Sequence, residues 1–320
     1  MDDPQDELDV EEGADDDEQH GREGKQRQQG VVPDGAREQQ ALVPKEISDH
    51  AQREGQQTSH RDACGAGVFE RVLQHASEDR AMIIGVREVA TRHLAAVLNR
   101  RGPRYSPGME MTFLGHAAVL FSGGGERLLV DPYATPDFGG RFRYRAIEDV
   151  VDWVVSSHPH SDHSAVQDLR GTPQLVTRGV AGAFEVSRHT VPHDEYGGRR
   201  RGGMVDILEI RCGGCRVVHL SDVGCAPPAE VVCDLRGADV VLVPVGGNYT
   251  IGAAQAWEWW VRLAPRAVVP IHFRTPACSL PIRPPEIFLS WCNELKPPRS
   301  GPISVQEVLE SLIYVEPSRG

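Results

Sequence analysis

One six-residue segment constrains this chain more than any other: His158-Pro159-His160-Ser161-Asp162-His163, directly after the apolar run VDWVVSS. Three imidazoles and a carboxylate crowded at the end of a strand would be costly to bury without a compensating ion. The spacing allows a loop to aim His158 and His160 at one cation while Asp162 and His163 turn toward a second. Catalytic metal sites use three or more protein ligands and keep a position open, so this loop must recruit donors from elsewhere. His193 after TVP, Asp222 after VVHLS and His272 after AVVPI each stand at the carboxyl end of an apolar run. Strand ends gathered on one rim of a layered fold would bring them together.

The surrounding sequence suits such a fold. Beyond Met109 short β-like runs alternate with polar or glycine punctuation: MTFLGHAAVLF and RLLVDP, joined as a hairpin by Ser122-Gly123-Gly124-Gly125, then VDWVVSSH, QLVT, RHTVPH, MVDILEI, RVVHLSD, ADVVLVPV and AVVPIH. Ala253 to Leu263 has helical periodicity, and Trp257 and Trp260 within it read as packing against a sheet. Early hairpins followed by strands with intervening helices predict two sheets with helices outside, an α/β (α+β) sandwich.

Residues 1–60 read differently. The first 18 residues carry 11 acidic groups and no Lys or Arg, and few apolar residues follow. A self-repelling stretch of this kind does not build a core, and disorder is expected over 1–60. Apolar spacing from Val68 to Asn99 suggests one or two amphipathic helices, and Arg100 to Gly108 reads as a linker, giving a helical extension over 61–108 before a catalytic domain over 109–320.

Of the net charge of −12, −8 falls in residues 1–108, and residues 109–320 carry 24 acidic against 20 basic groups. No basic footprint for nucleic acid is present, and no apolar run approaches the ~20 residues needed to cross a bilayer. An acidic start, without a basic-then-apolar segment, and seven cysteines suggest a reducing, cytoplasmic setting. Cys212-Gly213-Gly214-Cys215 reads as a hairpin turn flanked by thiols, because no second C-x-x-C follows.

The HPHSDH loop resembles the H-x-H-x-D-H signature of the metallo-β-lactamase superfamily. LLVDP is similar to that superfamily's earlier Asp motif, and PHDEYGG, HLSDVG, PVGGNYTIG and PIHFRTP resemble its L-ascorbate-6-phosphate lactonase-like branch of small hydrolases. The likeness runs through residues 109–290 in order. It implies a four-layer αββα sandwich with two divalent metal ions, zinc first, with manganese or iron as alternatives. His158, His160 and His193 would hold one ion, Asp162, His163 and His272 the other, and Asp222 would bridge them. Asp131 would orient the ligand loop through hydrogen bonds, unless it only caps a strand before Pro132. His189 competes with His193, and His116 is either a residue near the metals or a structural donor on its strand.

The implied activity is hydrolysis of a small anionic ester, lactone or phosphodiester by a hydroxide shared between the two ions, with Asp162 and Asp222 as catalytic carboxylates and no nucleic-acid or membrane partner. Arg199, Arg200, Arg201 and Arg274 are candidate anion contacts or solvated loop residues, and Asn248, Tyr249 and Thr250 candidate donors at a pocket mouth. A nuclease or phosphodiesterase on the same fold, or a metal-binding sensor without turnover, are the competing readings.

Overall fold

The computed structural model describes residues 108–310 apart from 201, 293–295 and 300, together with 313–315 and 318. The expected tail over 1–60 and the helices and linker over 61–107 lie outside the described residues.

Two six-stranded sheets form the body. The first is built from β1 (Glu110–Gly115), β2 (Ala118–Gly123), β3 (Glu126–Val130), β4 (Trp153–Val155) and β5 (Gln174–Leu175), in that spatial order. The second runs β11-β10-β9-β8-β7-β6, from β6 (Gly179–Ala181), β7 (Phe184–Pro192), β8 (Met204–Cys212), β9 (Cys215–His219), β10 (Val240–Pro244) and β11 (Ala267–Ile271). Near the carboxyl end β12 (Lys296–Arg299) pairs with β14 (Ile313–Val315), while β13 (Ile303–Ser304) adds to the free side of β1.

Alternation along the strands builds the core. Met111, Phe113, Val119, Phe121, Leu128 and Val130 of the first sheet share one buried cluster with Val186, Val191, Val205, Ile207 and Ile210 of the second. Leu114, Leu120, Leu129 and Val154 point the other way, into a second cluster with Tyr133, Phe142, Tyr144 and Ile282. Strands buried on both faces read as unbroken apolar runs, which is why β2 and β3 show no polar period. The layers outside the sheets differ. Helix α1 (Ala229–Leu235) and helix α2 (Ala253–Leu263) bury Val231, Val232, Trp257 and Trp259 beside the second sheet, whereas the far face of the first is covered by coil from the 133–151 and 278–282 segments. Trp257 and Trp260 meet each other and Phe288 edge-on or tilted, a packing role as expected. No described helix is long and apolar enough to cross a membrane.

The structure corrects one strand. MTFLGHAAVLF is not continuous: it breaks at His116-Ala117 into the antiparallel pair β1–β2, with Gly115 at φ 142° and His116 at φ 54°. His116 therefore sits on a turn, not on a strand. The turn escapes a periodicity argument because both of its residues are buried, His116 1 % exposed and Ala117 0 %. At Cys212-Cys215 the two-residue Gly213-Gly214 hairpin is as read; both thiols are free and buried, and burial pushes their pKa up, away from reactive thiolates.

Candidate metal centre

Strand direction gathers the donors. β1 and β3 run the same way because each is antiparallel to β2, and β4 is parallel to β3. In the second sheet β7, β9, β10 and β11 likewise share one direction. His116 follows β1, Asp131 follows β3, the His158–His163 loop follows β4, and His193, Asp222 and His272 follow β7, β9 and β11. Four residues on this rim hold left-handed backbone that costs a non-glycine residue energy: His116 at 54°, Asp131 at 49°, Ser221 at 50° and His272 at 50°. Each turns the chain sharply at a strand end and aims a side chain inward.

The donors fall into overlapping groups, each with ligand atoms within 4.8 Å of one another: His158, His160 and His193; His158, His163 and Asp222; and His116, Asp162, His163 and His272. His158 Nε2 and His160 Nδ1 face each other at 2.9 Å. Asp222 lies between the sets, with Oδ1 3.1 Å from His163 Nε2, and Oδ2 3.3 Å from His272 Nε2 and 3.6 Å from His193 Nε2. All seven residues singled out as ligands therefore converge. His189 does not join them: it stands within β7, 3.7 Å from the exposed Asp234 carboxylate.

Beneath the donors lies a support. Asp131, fully buried, accepts from the Ser157 amide at 2.7 Å, from the Ser157 and Ser221 hydroxyls at 2.8 Å each, and from His163 Nδ1 at 2.9 Å. Ser157 Oγ also meets His158 Nδ1 at 2.8 Å. Asp131 thus fixes the tautomer and direction of His163, and through Ser157 the base of the HPHSDH loop. This favours its orienting role over a mere strand cap. Ser157 and Ser221 went unnoticed in the sequence; their signal was a small hydroxyl residue directly before a ligand at a strand end. His219 was missed too, and ties the rim together: its Nδ1 accepts from the Ser221 amide at 3.1 Å and its Nε2–H donates to the Ala117 carbonyl, 2.8 Å away.

Electrostatics show what the pocket lacks. Burial raises the cost of ionising Asp131, yet the His163 hydrogen bond and charge outweigh it and hold the carboxyl at about 2. For Asp162 and Asp222 burial likewise pushes up, and the neighbouring imidazoles, His163 foremost, hold both well below the usual range. Burial alone would lower His163, but Asp222, Asp162 and Asp131 raise it well above 6.5. His158 goes the other way, pushed by burial and by His163 down to about 3. Three buried carboxylates, each held toward the ionised form, concentrate negative charge among the imidazoles, a setting suited to cations. His163 Nε2, both nitrogens of His193, Asp222 Oδ1 and His272 Nδ1 are buried without a hydrogen bond. Nitrogen and oxygen donors left bare at this density fit divalent metal ions.

Two glycines of the motifs have steric reasons. A Cβ on Gly224 would stand 2.0 Å from the His193 carbonyl oxygen, and one on Gly202 2.7 Å from His160 Nε2. The described residues of the GGRRRGG loop, though largely exposed, are tied at their base. Asp194 accepts from the amides of Tyr196, Gly198 and Arg200, and the Arg200 guanidinium lies 3.7 Å over the Tyr196 ring. Arg201 lies outside the described residues. Thr250 is buried and gives its hydroxyl to the Ile251 carbonyl at 3.2 Å, while Asn248 holds left-handed backbone at 62°.

The chain is similar to known proteins. A UPF0173 metal-dependent hydrolase of Natranaerobius thermophilus is 25 % identical over 189 residues, covering 52 % of this chain and 84 % of the relative. One from Carboxydothermus hydrogenoformans is 29 % identical over 197 residues, covering 52 % and 85 %. Among solved structures, a metallo-β-lactamase-superfamily protein of Thermotoga maritima superposes with a TM-score of 0.52 at 23 % identity, over 65 % of this chain and 97 % of its own, a likeness of fold. The beta-lactamase superfamily domain model matches residues 110–272, just over half of the chain and a span that begins at β1 and ends on the last donor. With two sheets, rim donors and that match in agreement, this chain belongs to the beta-lactamase superfamily and has the metallo-β-lactamase fold.

Proposed function

We propose that this metal-dependent hydrolase holds two divalent ions, zinc by preference, and cleaves a small anionic ester, lactone or phosphodiester, as a member of the lactonase-like branch. The observation that carries the two-ion reading is the position of Asp222, whose two oxygens lie within 3.6 Å of imidazoles from both donor sets. His158, His160 and His193 would hold one ion, and Asp162, His163 and His272 the other, with Asp222 between them. Ions in such a site polarise the scissile carbonyl or phosphoryl oxygen and bring the pKa of coordinated water toward neutrality.

The chain's own groups do the rest. Asp162 is the most accessible of the three carboxylates, its side chain 11 % exposed against 3 % for Asp222 and 0 % for Asp131, so moving a proton from the attacking water to the leaving group falls to Asp162. Asp131 is sealed off and acts through His163 and Ser157. Arg200, held over Tyr196 on the Asp194-capped turn that follows His193, is the candidate contact for a substrate anion. The partner is a small molecule, and the slight acidic excess of residues 109–320 speaks against a nucleic-acid backbone.

The test is a panel of lactones, phosphodiesters, thioesters, β-lactams and single-stranded RNA, run with zinc, manganese and iron. Turnover of a small anionic ester, lactone or phosphodiester, abolished by Asp222→Ala, is expected. Turnover of RNA alone would replace this reading with a nuclease, and full metal occupancy without any turnover would replace it with a sensor.

A further inference from the structure

His116 is the one member of the donor clusters with no place in the ligand assignment above. It is 1 % exposed, and its Nε2 lies 3.0 Å from Asp162 Oδ2. An ionised carboxylate only accepts, so this contact places the ring proton on Nε2. Its Nδ1 is buried with no partner. Engaged with Asp162 in this way, Nε2 orients the carboxylate instead of presenting a lone pair to an ion.

The main chain holds His116 in place from the other side. Its backbone is left-handed at φ 54°, and its carbonyl accepts from the His272 amide at 2.7 Å. Its ring lies 3.9 Å from that of His272 and meets Phe142 edge-on at 4.9 Å. The β1–β2 turn therefore clamps a hydrogen-bond donor between two expected ligands of one ion, His272 through the main chain and Asp162 through the side chain.

We infer that His116 is a positioning residue, not a ligand: its Nε2–H fixes the Asp162 carboxylate so that the ion held with His163 and His272 binds tightly. The inference rests on the two-ion reading of the site. Its strength should match other hydrogen bonds that orient metal ligands, whose loss costs about 10–100-fold in metal affinity.

The test compares the full-length wild type with His116→Asn and His116→Gln. Asparagine tolerates positive φ but its amide stops short of Asp162, whereas glutamine carries an amide N–H about as far as Nε2. Zinc affinity is read by competition with a chromophoric chelator, and the Co(II)-substituted proteins by their visible spectra. His116→Asn should still take up both ions but bind the one held with Asp162, His163 and His272 about 10–100-fold less tightly, with one cobalt band altered, and His116→Gln should recover most of the loss. Unchanged affinity for the other ion shows that the fold is intact. Unaltered zinc affinities and cobalt bands in His116→Asn, with two ions bound by the wild type, would overturn this inference alone. Outright loss of one equivalent in both variants would make His116 a ligand and also overturn it. Uptake of about one equivalent or less by the wild type would overturn the two-ion reading itself.

Discussion

Removing the Asp131 carboxylate should unfold the rim before it touches the chemistry. In Asp131→Ala four donors lose their acceptor, but the Ser157 and Ser221 hydroxyls lie 2.5 Å apart and can turn to each other. The Ser157 amide and His163 Nδ1 cannot turn, and each stranded buried donor costs about 1–3 kcal/mol. Alanine at a φ near 49° adds about 1 kcal/mol. The sum is about 5 kcal/mol, a large share of the ~5–15 kcal/mol that holds an ordinary domain. Asp131→Asn keeps the backbone tolerance and one oxygen, and loses chiefly the charge-assisted bond from His163, about 2 kcal/mol. The same contact underlies the lowered carboxyl, held at about 2 instead of 3.8, which corresponds to about 2 kcal/mol of stabilisation of the ion. Urea denaturation of metal-stripped protein at neutral pH measures both variants without the contribution of ion binding. Loss of under about 1 kcal/mol in Asp131→Ala, or asparagine costing more than alanine, would refute the reasoning.

Metal-stripped protein should be most stable near pH 6.5. Below that, His116 and His158, held by burial down to about 4 and about 3, take up protons only when unfolded, so stability falls with pH; above it, stability from His163, raised by Asp222, Asp162 and Asp131 against the cost of burial, is lost as its proton leaves. Chemical denaturation from pH 4.5 to 9 checks this, and a steady rise across the range would contradict it. Gly224→Ala should push the His193 carbonyl aside, destabilising the protein by about 1–3 kcal/mol and weakening zinc binding, both measurable by melts with and without metal. Arg200→Ala should raise KM for an anionic substrate several-fold with kcat nearly unchanged, because a residue stacked on Tyr196 orients substrate without touching reacting atoms; a matching fall in kcat would place it in the chemistry.

How much of this could be read in advance depended on whether chemistry or packing sets the residue. Seven donors at strand ends announced themselves because polar residues closing apolar runs demand an explanation, and the fold brings all seven together. The β1–β2 turn gave no such sign: with His116 and Ala117 buried among apolar neighbours, only Gly115 hinted at a reversal. Ser157, Ser221 and His219 are ordinary residues in sequence, and their roles come from distances across the sheets, such as the 90 positions separating Ser221 from Asp131. The coil over the outer face of the first sheet was equally hidden, since Phe142 and Tyr144 bury themselves without periodicity. For the GGRRRGG loop composition suggested freedom, whereas Asp194, next to the candidate ligand His193, caps its described residues with three hydrogen bonds.

The central claim is a two-ion centre split between the donor sets and joined at Asp222. Its most direct test is the zinc content, after reconstitution and removal of loose metal, of the wild type, His160→Ala and His272→Ala. The account predicts about two equivalents for the wild type and about one for each variant, with the remaining ion in the opposite donor set. About one equivalent or less in the wild type, or variants that keep the full complement, would contradict it.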